Sequence, residues 1–209
     1  MSYLSVKSSW CQKFSVAIAI IIKDGLKKFF NKFCGFVLDK VYRQKQFIFF
    51  EFSLEQPSFS ITPLEPINVK IANFDDKNKI ESEIFPWLKD EQDYDKRYFS
   101  LLEQPGIRCF LAEKDGKLVH YSWVFDEAKN SPLMDTIFDR NKLREGDAYM
   151  GPVFTSPEAR GVWIYPYVLT KIMIFLKEST DVKRLILFVY GKNPAAVNFF
   201  MRLGFRRLN

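Results

Sequence analysis

The run Thr155-Ser156-Pro157-Glu158-Ala159-Arg160-Gly161-Val162-Trp163-Ile164-Tyr165 decides the fold, because it reads as a strand end, a tight turn and a helix start in succession. The first turn of a helix leaves backbone N–H groups without internal partners, and the helix dipole adds partial positive charge at the same end. Such an end attracts phosphate. Gly161 allows the backbone to bring those amides round together, and Arg160 sets a permanent charge beside them. A second fragment, Asn193-Pro194-Ala195-Ala196-Val197-Asn198-Phe199-Phe200-Met201-Arg202-Leu203-Gly204-Phe205, follows after one more apolar strand at Arg184–Tyr190.

Outward from these fragments the chain alternates strands and helices. A short strand is expected at Asn68–Asn73, helices at about Lys77–Lys89 and Tyr94–Glu103, and a hairpin with arms Arg108–Glu113 and Lys117–Phe125. Asp115-Gly116 between the arms suits the positive φ values of a two-residue hairpin turn. Asp126–Asp147 is long and polar for a connection, a length often tied to function. Strands alternating with helices imply an α/β sheet, and the hairpin makes that sheet mixed. Gln46–Leu54 (QFIFFEFSL) reads as an aromatic strand, and Ser58–Ile67, with Pro63, Pro66 and the nearby Pro57, as a linker.

Composition narrows the function classes. Of 209 residues, 47% are hydrophobic and 27% charged, values typical of globular chains. The three cysteines, Cys11, Cys34 and Cys109, are too widely spaced for a disulfide framework or a metal site, which predicts a reduced, cytoplasmic setting and no metal. Residues 1–45 hold nine basic and two acidic residues, so the chain's net charge of +6 resolves into +7 there and −1 over 46–209. That distribution argues against a nucleic-acid partner for the main domain. Phe14–Ile22 is too short to span a bilayer as a helix, and Lys23-Asp24 stands where a signal-peptide cleavage site would need small residues. From Leu26 to Val41 apolar residues recur at helical spacing against a basic face. The segment reads either as a helix lying on an anionic membrane surface or as one packed on its own domain.

Thr155–Tyr165 resembles the Arg/Gln-x-x-Gly-x-Gly pyrophosphate loop of the GNAT acetyltransferase superfamily. Asn193–Phe205 is similar to that family's closing fragment, Asn-x-x-Ala-x-x-aromatic-Tyr-x-x-Leu-Gly-Phe. The resemblance extends in architecture over Asn68–Phe205. It implies an α/β fold with a mixed, mostly antiparallel central sheet and flanking helices, the GNAT-like acyl-CoA N-acyltransferase fold. The expected organisation is a basic amphipathic extension at 1–45, an extra strand and proline-containing linker at 46–67, and the acyltransferase domain at 68–209.

The implied activity is direct transfer of an acetyl or related group, within a ternary complex, from acetyl-CoA or another acyl-CoA to an amine on a small molecule or peptide. The implied cofactor residues are Arg160, Gly161, Val162, Trp163, Ile164 and Tyr165 around the pyrophosphate, Val153, Phe154 and Thr155 along the pantetheine arm, and Asn193 at the start of the last helix. The chain departs from the pattern at three positions. Trp163 and Tyr165 stand where the later loop glycines belong, and Phe200 replaces a tyrosine that donates a proton to the departing thiolate. These departures keep open an alternative, a catalytically degenerate GNAT-fold module that binds or interacts without turnover. For the acceptor side His120 is the expected general base, on a strand where 120 and 122 share one face; the competing reading is a hydrogen-bonded structural histidine. Asp147, Glu145 and Tyr149 are the alternatives. The aromatic strand at Gln46–Leu54 is expected to fill the open sheet edge beyond the last helix.

Overall fold

The computed structural model describes residues 47–57, 59–63, 65–88, 98–132 and 140–208. The chain divides into two units, Met1–Phe47 and Ile48–Asn209, and the elements below belong to the second apart from the first residue of its first strand. The amphipathic segment expected at Leu26–Val41 lies outside the described residues.

Seven strands form one sheet: β1 (Phe47–Ser53), β2 (Asn68–Ile71), β3 (Ile107–Lys114), β4 (Lys117–Phe125), β5 (Asp147–Thr155), β6 (Arg184–Tyr190) and β7 (Arg206–Arg207), in the order β2-β3-β4-β5-β6-β1-β7. The fold is the mixed, mostly antiparallel one expected. β2 to β5 run as an antiparallel series, and β5 and β6 are parallel. The hairpin turn between β3 and β4 has positive φ at both Asp115 and Gly116, the two-residue geometry that its sequence favours. The aromatic strand β1 sits between β6 and β7, so the expected edge position is where the sheet receives it.

Among the described residues three α-helices flank the sheet: α1 (Lys77–Glu83), α2 (Ile164–Ser179) and α3 (Pro194–Arg202). α1 is shorter than its periodicity predicts, because Pro86 ends the α pattern and the chain continues as a 3₁₀ turn over Phe85–Trp87. Of the helix expected at Tyr94–Glu103, the described part is a 3₁₀ turn at Phe99–Leu101.

The interior divides into two apolar clusters, one on each face of the sheet. α2 contributes Val168, Leu169, Ile172, Met173 and Leu176, and α3 contributes Val197 and Phe200, to a cluster shared with Val124, Met150 and Leu185. Ile80 and Ile84 close the opposite face over Tyr121, Trp123 and Phe125. Burying both faces is the usual requirement of an α/β sheet. α3 ends in a Schellman motif: the amide of Phe205 donates to the Phe200 carbonyl at 3.0 Å and that of Gly204 to the Met201 carbonyl at 3.1 Å. Gly204, at φ +89°, supplies the left-handed residue the motif needs. The Phe205 ring then packs on Phe200 at 5.1 Å, which accounts physically for a Leu-Gly-Phe ending.

Candidate functional site

β5 and β6 pair at three positions only, Asp147↔Arg184, Ala148↔Leu185 and Tyr149↔Ile186. Beyond Tyr149 no ladder pair joins them, so the C-terminal halves of these two parallel strands form an open fork. β5 stays paired to β4 on its other edge as far as His120↔Thr155. An extended ligand could therefore find main-chain partners on the β5 edge that faces the fork.

The closed end of the fork is pinned by charge. Arg184 grips Asp147 with two nitrogens, Nε to Oδ1 at 2.7 Å and Nη2 to Oδ2 at 2.6 Å, and also contacts Glu51 of β1. The side chains of Arg184 and Asp147 are 10% and 3% exposed. Asp147 also accepts the Arg144 amide at 2.7 Å. Its carboxylate is thus committed to structure, and with Glu145 it lies at the end of β5 away from the opening. A groove of about 1140 Å³ lined by both residues belongs to that end. Neither is placed to serve the open fork. Tyr149 stands at the branch point itself. Its hydroxyl would lie 2.7 Å from a Cβ built on Gly151, so a side chain at residue 151 would force the phenol to shift.

The open end leads to the quoted loop. After β5, a 3₁₀ turn at Pro157–Ala159 carries the chain to Arg160, whose Nε donates back to the Thr155 carbonyl at 3.1 Å. Gly161 follows at φ +85° and Trp163 at φ +63°, and α2 begins at Ile164. Among the described residues no protein acceptor takes the backbone amides of Gly161, Val162, Trp163, Ile164 or Tyr165; the first amide of α2 with a partner is Tyr167, bonded to the Trp163 carbonyl. Pro166 has no amide to offer. A cavity of about 290 Å³ opens here, lined by Thr155, Ala159, Arg160, Gly161, Trp163, Ile164, Tyr165, Pro166 and Phe199. Unpartnered amides, the positive end of a sixteen-residue helix and an arginine together could hold an anion.

The two aromatic departures turn opposite ways. Trp163 is 50% exposed, whereas Tyr165 is half-buried, with its ring 5.8 Å from His120, 6.2 Å from Phe199 and 6.0 Å from Phe200. Burial raises the Tyr165 hydroxyl pKa well above its ordinary value, so it stays protonated. Phe200 itself is packed among Phe50, Phe199 and Phe205.

His120 is fully buried beneath this loop. Nδ1 lies 2.7 Å from Thr155 Oγ1 and Nε2 2.8 Å from Ser122 Oγ. Burial lowers its pKa to about 3, which keeps the ring neutral. With both nitrogens engaged by hydroxyls and the ring fully buried, His120 is placed to hold Thr155 and Tyr165 in position. It is poorly placed to meet an incoming ammonium, the task expected of it as general base.

The cavity thus brings together Thr155, Arg160, Gly161, Trp163, Ile164 and Tyr165. Val153 is 37% exposed on β5, while Phe154 turns to the opposite apolar cluster and stacks on Tyr121. Val162 is partly buried against the core under α2. Asn193 caps α3, its Oδ1 accepting the Ala196 amide at 3.1 Å. Sequence reasoning missed Ala159, Pro166 and Phe199 as lining residues. It also missed Ser122 as a His120 partner, although the shared strand face of 120 and 122 was a usable signal. Among the described residues no cluster of His, Cys, Asp or Glu could hold a metal ion, and no helix is long and apolar enough to cross a membrane.

The family model described as the acetyltransferase (GNAT) family matches residues 74–205. No curated protein matches the sequence. Among solved structures, similarity is found to a GCN5-related glucosamine N-acetyltransferase region of a fungal multi-domain β-N-acetylglucosaminidase, with TM-score 0.56 and 15% identity, covering 78% of this chain and 20% of that one. A conserved protein of unknown function from Staphylococcus epidermidis matches with TM-score 0.51 and 9% identity over 82% of this chain; the alignment spans 62% of that protein's length. An acetyltransferase of the GNAT family from Staphylococcus aureus matches with TM-score 0.50 and 17% identity, covering 69% of this chain and 87% of that one. At such identities the structural likeness shows the fold alone.

Proposed function

Since this chain belongs to the acetyltransferase (GNAT) family, we propose that it moves an acetyl or related acyl group from acyl-CoA to an amine of a small molecule or peptide by direct transfer. The observation that carries the reading is the set of backbone amides at Gly161 through Tyr165 without a protein acceptor, beside Arg160 and at the mouth of the β5–β6 fork. The amides and Arg160 would hold the pyrophosphate. The unpaired edge of β5 over Val153, Phe154 and Thr155 would take the pantetheine arm, and Asn193 would border it from the start of α3.

With the thioester in the fork, the amine nitrogen attacks the carbonyl carbon, the C–N bond forms and the C–S bond breaks. Net, one proton moves from nitrogen to sulfur. Phe200 has no proton to give, so another group or solvent must deliver it to sulfur. His120 acts here as a positioning residue, fixing Thr155 from below.

A second reading, a GNAT-fold module that binds acyl-CoA without turnover, is favoured by Phe200 and by the committed His120. Calorimetry with acetyl-CoA followed by a screen of amine acceptors separates the two. The transferase reading expects binding that is weakened at least several-fold in Arg160→Ala, and release of free CoA thiol with at least one acceptor class. Binding with no thiol release from any amine leaves the binding module, and no heat of binding removes both.

A further inference from the structure

Trp163 is the residue of the loop that packing does not explain. Its backbone lies at φ +63°, a region that bulky side chains rarely enter. Its side chain makes no capping bond to α2. Half of its surface is in water, although its neighbour Ile164 is 1% exposed and Tyr165 turns inward. A disfavoured backbone that places a large apolar ring in solvent destabilises the chain twice, and such outliers concentrate where a ligand is gripped. The ring borders the same cavity as Arg160 and the unpartnered amides.

We propose that Trp163 is a stacking platform for the nucleobase of acyl-CoA, so that this loop selects the whole nucleotide over shorter pantetheine thioesters. The inference rests on the cofactor reading above. If the phosphates sit on the amides of residues 161–165 and the arm runs inward along β5, the nucleoside end must lie at the outer rim. Trp163 is the aromatic side chain of the cavity that faces outward there. A purine offers a flat π face of matching size, and base-on-aromatic stacking needs no directional hydrogen bond, so an exposed indole suffices. Arg160, one turn earlier in the loop, is the charge that meets the phosphates next to that base.

The test compares acetyl-CoA with 4′-phosphopantetheine, which keeps the arm and one phosphate but has no nucleobase. Both are titrated by calorimetry into the full chain as wild type, Trp163→Gly and Trp163→Phe. Glycine suits the left-handed backbone, so Trp163→Gly should raise the melting temperature while weakening acetyl-CoA about tenfold, the order expected for one stacked base. Phenylalanine should keep most of the affinity, and 4′-phosphopantetheine should bind all three proteins alike. Unchanged acetyl-CoA affinity in Trp163→Gly, or equal weakening of both ligands, would show that the indole shapes the loop and does not bind the base. If the wild type binds neither ligand, the cofactor reading itself has failed and takes the platform with it. A failure of the platform alone leaves wild-type acetyl-CoA binding intact.

Discussion

His120 is the single histidine of the chain, so its titration can be isolated in a stability measurement. Its folded pKa of about 3 lies below the unfolded value near 6.5 because burial penalises the charged ring. Between those values the unfolded chain binds a proton that the folded chain refuses, so stability is complete above about pH 6.5 and falls as pH drops toward 3. From about pH 7.5 to about pH 5 the loss from this group is on the order of 2 kcal/mol. Urea titrations at the two pH values should show that loss in the wild type. His120→Asn, which cannot titrate, should be less stable at neutral pH but nearly flat across the window. An equally steep fall in the variant would remove His120 as the cause. The strand alternation in Leu118–Trp123 correctly put residues 120 and 122 on one face. It could not show that Thr155, thirty-five positions away, supplies the second hydroxyl, because register between strands is a tertiary outcome. The same limit applies at Phe199, whose place in the cavity depends on how α3 lies against α2. Trp163 was legible as a departure from glycine, yet its outward direction was not, since the backbone conformation that aims it is decided by the loop's closure.

At the scale of elements, the fork depends on a difference between its two ends. Arg184 ties β6, β5 and β1 together at one end through Asp147 and Glu51, and past Tyr149↔Ile186 the strands part. Hydrogen bonding to Asp147 raises the pKa of a guanidinium that is already permanently charged, and removing either partner leaves a buried charge uncompensated. Arg184→Ala should therefore cost about 3–5 kcal/mol, read by chemical denaturation. A loss below about 1 kcal/mol, the range of exposed ion pairs, would mean that the cluster is wetter than its 10% and 3% exposures indicate. The strands β3 to β6 and the helices α2 and α3 were all legible, because each is a long periodic segment with strong turn chemistry at its ends. α1 was read too long, since Pro86 overrode an apolar spacing that continued past it. The ion cluster was invisible because its members come from three strands. A lone arginine opening an apolar strand was the available hint.

For the whole molecule, β1 is the element without which the second half of the sheet has no partner. Phe50 and Phe52 are buried in the cluster under α2 and α3, packing on Phe200 and Phe205, and β7 pairs through Phe50↔Arg207 and Glu51↔Arg206. A chain lacking residues 1–53 should expose the edge of β6 together with Phe200 and Phe205, and long apolar edges template association. Size-exclusion chromatography should find it aggregated, with a monomeric, cooperatively melting product counting against β1 as an integral strand. The aromatic density of Gln46–Leu54 made the strand legible. The family resemblance, which begins after it, gave no reason to place it inside the sheet; only the need to cover an open edge did.

The pairing of Phe50 with Arg207 also bears on how quickly the molecule can form. Contacts between positions so far apart in sequence are reached only after the intervening chain has been confined, and high contact order slows folding. During synthesis β1 emerges early and must wait for α3 and β7, with its phenylalanines uncovered in the meantime. A longer wait in that state gives those phenylalanines more time to associate with other chains.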